Sequence, residues 1–181
     1  MYTVLFLKNF LQEGILQHLP ALLAVSTPTV NSFRRIGRGC WTGYKIGWAT
    51  EDKESPLRVC LTPFTNEACN VEMKLSDSTA NVYLELAAIL SAGLDGISRN
   101  LDLRPPHSTA TSATEHDSLP SYLSDALTCL ENDSTLVSIL GAELTQAYCA
   151  LRRAEITNAD NTNIAIEDAL QEEVRSALAK A

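Results

Sequence analysis

The stretch "NVEMKLSDSTANVYLELAAILSAGLDGI", Asn70 to Ile97, constrains the fold of this chain more than any other. In its first residues Val71, Met73 and Leu75 alternate with Asn70, Glu72 and Lys74, a period of two that predicts a short strand burying the first set. Asp77, Ser78 and Thr79 are N-cap candidates, and the run Ala80 to Leu94 is apolar almost all round, broken mainly by Asn81 and Glu85, which share one face. A helix of that kind is expected to be buried on most sides, with Gly93 and Gly96 offering its stop. A strand that runs straight into a buried helix points to an α+β fold. On the strand's other face a carboxylate and an ammonium stand two residues apart, which asks what they are for.

The rest of the chain supports one domain of that class. Its 181 residues, 45% hydrophobic, suffice for a core. Residues 1 to about 25 read as a helix, with Pro20 opening a second apolar segment at "ALLAV". That N-terminus lacks a basic leader and carries Lys8, Glu13 and His18, so it reads as an amphipathic helix packed inside a larger body, not as a signal peptide or membrane span. Residues 26 to 76 read as loops and short strands, "GCWTGYKIGWAT", "SPLRVCL" and "NVEMKL" among them. The Ser/Thr-rich segment from Arg104 to Pro120 reads as an exposed loop, after which helical patterns resume. In the last of these Ile166, Leu170, Val174 and Leu178 fall on one stripe.

Charge and cysteine usage exclude several functions. The net charge of -8 comes from the part after residue 114, which holds 12 acidic and 4 basic residues, and this argues against a nucleic-acid partner. The five cysteines form no CxxC pair and have no histidine at metal-finger spacing, so reduced thiols in a cytoplasmic protein are expected. No GxSxG is present, and His107 and His116 sit in the polar loop, which leaves nucleophilic catalysis without support. His18 reads as a core-edge histidine bonded to a carbonyl. Trp41, Tyr44 and Trp48 read as core aromatics or, less commonly in strand context, as a stacking surface for a base.

Three polar clusters lie among the β-formers: Asn31, Arg34 and Arg35; Lys53 and Arg58; Glu72 and Lys74. Cations converging with one carboxylate suit a polyanionic ligand with a bound cation, although a solvated face or an ion-pair network has the same composition.

These residues resemble a family. "PTVNSFRRI" is similar to the glutamine synthetase signature P-x-x-N-S-Y-K-R, "SPLRV" to the end of its N-R-x-x-x-[IL]-R segment, and "VEMKLSDSTANVYLELAAILSAGLDGI" to its [IV]-E-x-R…D-x-x-A-N-P-Y-L-x-L-A-A-I-L-x-A-G-L-D-G-I block. The likeness runs from about Phe10 to Glu155, and Lys74 with "WTGYKIGW" resembles the FluG-type, glutamine synthetase-like branch. It implies the C-terminal part of a glutamine synthetase/guanido kinase-type catalytic domain, occupying residues 1–181, with short antiparallel strands backed by helices and a helical C-terminal region. It further implies ATP-dependent ligation of ammonia to glutamate via γ-glutamyl phosphate, with Mg²⁺ or Mn²⁺ and a homo-oligomeric ring.

By the same resemblance Arg35 and Asn31 bind the substrate glutamate, Arg58 lies at the nucleotide phosphates, Glu72 is a metal ligand, and Lys53 and Lys74 stand where cations face the transferring phosphoryl group. The family's N-R pair is Asp52-Lys53 here, and its R-x-E-x-R reads Asn70-Val71-Glu72-Met73-Lys74. Lysine keeps the charge without the bidentate fork. The family's β-grasp domain, further glutamate ligands and metal-binding histidine precede the matched region. The expectation is therefore a catalytic domain incomplete as an isolated chain, with a non-catalytic scaffold as the alternative.

Overall fold

The structure, a computed structural model, describes residues 2–106, 118–161 and 166–179. A first helix, α1 (Tyr2–Ser26), leads through a short 3₁₀ helix (Ser32–Arg35) to strands β1 (Trp48–Thr50), β2 (Leu57–Leu61) and β3 (Ala68–Met73). Then follow helices α2 (Val82–Ser98), α3 (Leu123–Asn132), α4 (Ser134–Leu140), α5 (Ala142–Asn161) and α6 (Ile166–Ala179). The α+β class holds. β2 and β3 pair antiparallel, as expected, but β1 joins the other edge of β2 in parallel, so the sheet is mixed in the order β1-β2-β3.

Helix α1 is the centre of the molecule. Leu16, Leu19, Leu22 and Leu23 are all fully buried, each removing from water a side chain worth about 1.5–3 kcal/mol. From Gln12 to Thr27 nearly every position is buried, Gln17 being exposed, so the amphipathic helix expected from the sequence is a core helix. Pro20 does not divide it. A proline inside a helix costs about 3 kcal/mol, and the leucines buried on both sides of Pro20 outweigh that loss.

Helix α2 differs from expectation at three points. Its N-cap is Asn81, whose side-chain oxygen accepts from the N–H groups of Tyr83 and Leu84; Asp77 instead closes a turn by accepting from the Thr79 N–H. Gly93 and Gly96 do not stop it. A Cβ on Gly96 would collide with the Phe10 carbonyl and approach the Gly14 Cα to 2.7 Å, so Gly96 with Gly14 lets the α1 and α2 backbones touch, while Gly93 makes room for the Leu11 side chain. Nor is the helix buried on most sides. Ala88, Ala92 and Gly96 face α1, but Val82, Tyr83, Leu86, Leu90 and Leu94 are exposed. Periodicity reports that a helix is apolar; it does not report which apolar face has a neighbour.

The end of the polar segment is anchored more than a free loop would be. Glu13, 4% exposed, accepts from the Arg104 backbone N–H at 3.0 Å and from its guanidinium at 2.6 Å. On the far side the Leu119 N–H donates to the Tyr44 carbonyl at 3.0 Å, and Leu119 is buried. Residues 107–117, with His107 and His116, lie outside the described residues, as do the side chains of Ile166, Leu170 and Leu178. No helix among the described residues is long and apolar enough to cross a membrane.

Candidate functional site

Strand alternation builds the site as the sequence predicts. Val71 and Met73 pack against the core, while Glu72 points to the other face, and the β2–β3 register sets Arg58 directly opposite Glu72. The Arg58 Nη2 lies 2.8 Å from a Glu72 carboxylate oxygen. Burial opposes the Arg58 charge, but Glu72 and Cys60 more than offset it, so its pKa is raised. Two residues along β3, the Lys74 ammonium donates to the Lys53 carbonyl, and the Lys74 N–H donates to the Pro56 carbonyl at 2.9 Å. Arg58, Glu72, Lys74 and Lys53 are thus brought together at one end of the sheet.

The other two predicted residues sit at its margin. Arg35, on the 3₁₀ helix, donates to the Ser76 carbonyl at 2.7 Å and lies 3.5 Å from Asp77. It therefore abuts the chain that continues from β3. Asn31, at the head of the same 3₁₀ helix, is turned elsewhere, and its amide donates to the Glu173 carboxylate of α6. Each guanidinium and amide in the set has a partner within the chain.

A divalent metal does not fit these residues alone. Glu72 is engaged by Arg58, and among the described residues no three His, Cys, Asp or Glu side chains lie close enough to hold an ion. Mg²⁺ asks for near-octahedral oxygen geometry, and one carboxylate already paired with a guanidinium does not supply it.

Two further arrangements were missed in the sequence. Trp48 is a core aromatic, its Nε1–H donating to the Arg104 carbonyl at 2.8 Å, but Trp41 is 64% exposed, with the Lys53 ammonium 5.2 Å from its ring centre. Glu54 fixes the Trp41 loop, its two carboxylate oxygens accepting from the Gly39 and Trp41 N–H groups, each at 3.0 Å. His18, expected to bond a carbonyl, instead bridges two carboxylates. Its Nδ1 is 2.5 Å from Asp133 and its Nε2 is 3.1 Å from Asp95. The hydrogen bond to Asp133 raises the His18 pKa against the opposing effect of burial, and Asp95 adds to it. Burial alone would raise the Asp133 pKa, but His18 and the Leu136 N–H lower it. No periodic signal marks either arrangement, since both join residues far apart in the chain or in irregular loops.

Comparison with known proteins adds three findings. The model of the family described as "Glutamine synthetase, catalytic domain" matches residues 6–169. Among curated relatives, the chain is 32% identical over 151 residues to "Type-1 glutamine synthetase 1" of Dictyostelium discoideum, covering 82% of this chain and 30% of that one. It is 35% identical over 159 residues to "Protein fluG" of Emericella nidulans, covering 82% of this chain and 18% of that one. A solved structure titled "Crystal structure of novel glutamine synthase homolog" superposes with a TM-score of 0.73 at 30% identity, over 92% of this chain and 38% of that one. The chain therefore spans less than a third of the length of these two curated relatives.

Proposed function

The chain belongs to the glutamine synthetase catalytic-domain family, and from that premise we propose that it forms the strand wall of an ATP-dependent site joining an amine nitrogen to the γ-carboxyl of glutamate. The observation that carries this reading is the register of β2 and β3, which sets Arg58 against Glu72 and brings Lys74 to Lys53 beside them. Glutamate and ATP are both anionic, and their reaction through γ-glutamyl phosphate needs cations on the transferring phosphoryl oxygens. In this reading Arg58 holds phosphate oxygens, and the Lys53 and Lys74 ammonium groups neutralise charge as it moves, as point charges without the arginine fork. Arg35 and Asn31 take the substrate glutamate, which requires them to leave Ser76, Asp77 and Glu173. The carboxylate of Glu72 alone does not make a metal site, so the site is completed only with ligands from outside the described residues.

A second reading, a non-catalytic scaffold that keeps the fold, draws support from those same internal partners. Arg58, Arg35 and Asn31 each have an internal partner without a ligand, while Arg58 Nε and Asn31 Oδ1 are buried with no hydrogen-bond partner. The test is γ-glutamyl hydroxamate formation from glutamate, ATP and hydroxylamine with Mg²⁺ or Mn²⁺. Turnover that disappears in Glu72→Ala supports the ligase and removes the scaffold. Absence of turnover at high protein concentration supports the scaffold.

A further inference from the structure

The pairing of β2 with β3 breaks step at the end away from Pro56 and Lys74. Cys60 is the register partner of Asn70, but the next residue, Leu61, is the partner of Ala68, so Cys69 is an extra residue in β3. In such a bulge two residues of one strand oppose a single residue of the other. Cys69 and Asn70 together therefore face Cys60.

The bulge also turns Cys69. Neighbours in a regular strand point to opposite faces of the sheet, yet the Cys69 thiol donates to the Asn70 side-chain oxygen at 3.3 Å, which puts both side chains on one face. That face is also the one Cys60 takes. Leu57 and Val59 are buried, so Arg58 and Cys60 occupy the outer side of β2, with Glu72 and Asn70 opposite them. Cα atoms facing each other across antiparallel strands are about 4.5–5.5 Å apart, within the roughly 4.4–6.8 Å that a disulfide spans.

All five cysteines are reduced, and they are not equivalent. Burial pushes the Cys129 and Cys149 thiols up, which leaves them protonated and inert. Cys40 is exposed in the loop before β1, its thiol turned to the Arg38 carbonyl. Cys69 is exposed at the bulge, and Cys60 is half-buried opposite it.

We propose that Cys60 and Cys69 are a reversible disulfide pair, closed by thiol–disulfide exchange with a low-molecular-weight disulfide such as glutathione disulfide. The exposed Cys69 thiolate attacks one sulfur of the oxidant, forming a mixed disulfide and releasing one thiolate. The Cys60 thiolate then attacks the Cys69 Sγ, and the second thiolate leaves. The two cysteines give up two electrons to the oxidant and two protons to its departing thiolates, so one disulfide forms as one is reduced. This chemistry does not depend on the ligase reading.

Trypsin cuts after Arg58 and Lys74, so residues 59–74 form a peptide that holds Cys60 and Cys69 and no other cysteine. The full chain is equilibrated with glutathione disulfide, quenched in acid, alkylated and digested, and this peptide is read by mass spectrometry. The expected product lacks two hydrogens and any alkyl label, and excess reduced glutathione reopens it. In Cys60→Ser the reaction stops at a glutathione adduct on Cys69, severalfold more abundant than in the natural chain. In denaturing urea, where the strand register is lost, the ratio of internal disulfide to adduct in the natural chain falls about tenfold. A doubly alkylated peptide, a Cys69 adduct equally abundant with and without Cys60, closure no more favoured than in urea, or a linkage that includes Cys40 overturns the proposal. The natural chain alone supplies the first and third readouts, so they decide even if Cys60→Ser fails to fold.

Discussion

The crossing of α1 and α2 and the pairing of β2 with β3 lie in one small molecule and obey opposite rules. At the crossing two backbones touch through Gly14 and Gly96, and nearby the buried His18 is clamped between the half-buried Asp95 and Asp133. At the sheet, Arg58 and Glu72 are 22% and 41% exposed and attract each other through water-screened surroundings. The helical pair has no spare volume or spare charge. The sheet holds its charged pair part-exposed, and four of the candidate residues, Arg58, Glu72, Lys74 and Lys53, gather at its end.

Breaking the crossing should have the largest effect. In Gly96→Ala the new methyl collides with the Phe10 carbonyl, which belongs to backbone and cannot rotate away. Overpacking of this kind costs about 3 kcal/mol, which for a chain of this size lowers the melting temperature by roughly 6–12 °C. A thermal melt decides; a shift under about 2 °C would mean that the helices can separate at little cost.

The next effect separates the two regions by pH. Both ring nitrogens of His18 face carboxylates, so the clamp needs the imidazolium, with Asp133 on one side and Asp95, itself paired with Arg99 at 2.8 Å, on the other. The nearby Cys129 thiol is pushed up by burial, then by Asp125 and Asp133, and so stays protonated at neutral pH. Because the His18 pKa is raised on folding, its stabilisation is fully present below about 6.5 and is lost as pH rises through the higher folded value. The Asp133 pKa is lowered, so its share is present above about 3.9 and is lost as pH falls through the folded value. Melting temperature should therefore decline from pH 6 to pH 9 in the natural chain, and His18→Gln should flatten that decline. Arg58, its pKa raised, stays charged throughout this range, and its pair with Glu72 does not include His18, so Glu72→Gln should leave the slope intact.

Much of this contrast was legible in the sequence, for physical reasons that also mark its limits. Alternation at Val71, Glu72 and Met73 is local, and it correctly assigned which side chains face the core and which take the other face; the meeting of Glu72 with Arg58 came from the strand register, which the alternation does not set. The block shared with the glutamine synthetase family made the class of fold readable as well. The clamp at His18 joins residues 77 and 115 positions away, and no local period encodes a contact of that span. Gly93 and Gly96 were misread as a stop because glycine ends helices and also lets them touch, and only the neighbour distinguishes the two. The Trp41 loop depends on a left-handed residue and a carboxylate thirteen positions on, neither of which leaves a pattern.

Glu72→Gln itself should have a smaller effect on stability than either change in the helices. It removes one member of a part-exposed cross-strand pair, and Arg58 remains free to turn to solvent. The expected melting shift is about 2 °C or less, readable in the same scans. A shift as large as that of Gly96→Ala would show that the pair is structural and would weaken the case for an exchangeable ligand site.

The smallest effect should come from the two faces of α2, which carry the comparison inside a single helix. Ala88, Ala92 and Gly96 are small because α1 lies against them; Leu86, Leu90 and Leu94 are large, and α1 does not cover them. Leu90 is 59% exposed, so Leu90→Gln removes little buried surface and keeps a residue of good helix propensity. Its stability should change by no more than about 0.5 kcal/mol in a denaturant titration, whereas an equally small change of volume at Ala92 should be felt at once. If Leu90→Gln instead destabilises the chain by more than about 1 kcal/mol, the outer face is covered in solution, and α2 is a core element on both sides. Helix propensity is nearly the same for the two residues, so the difference between the outcomes reports coverage of the face and nothing else.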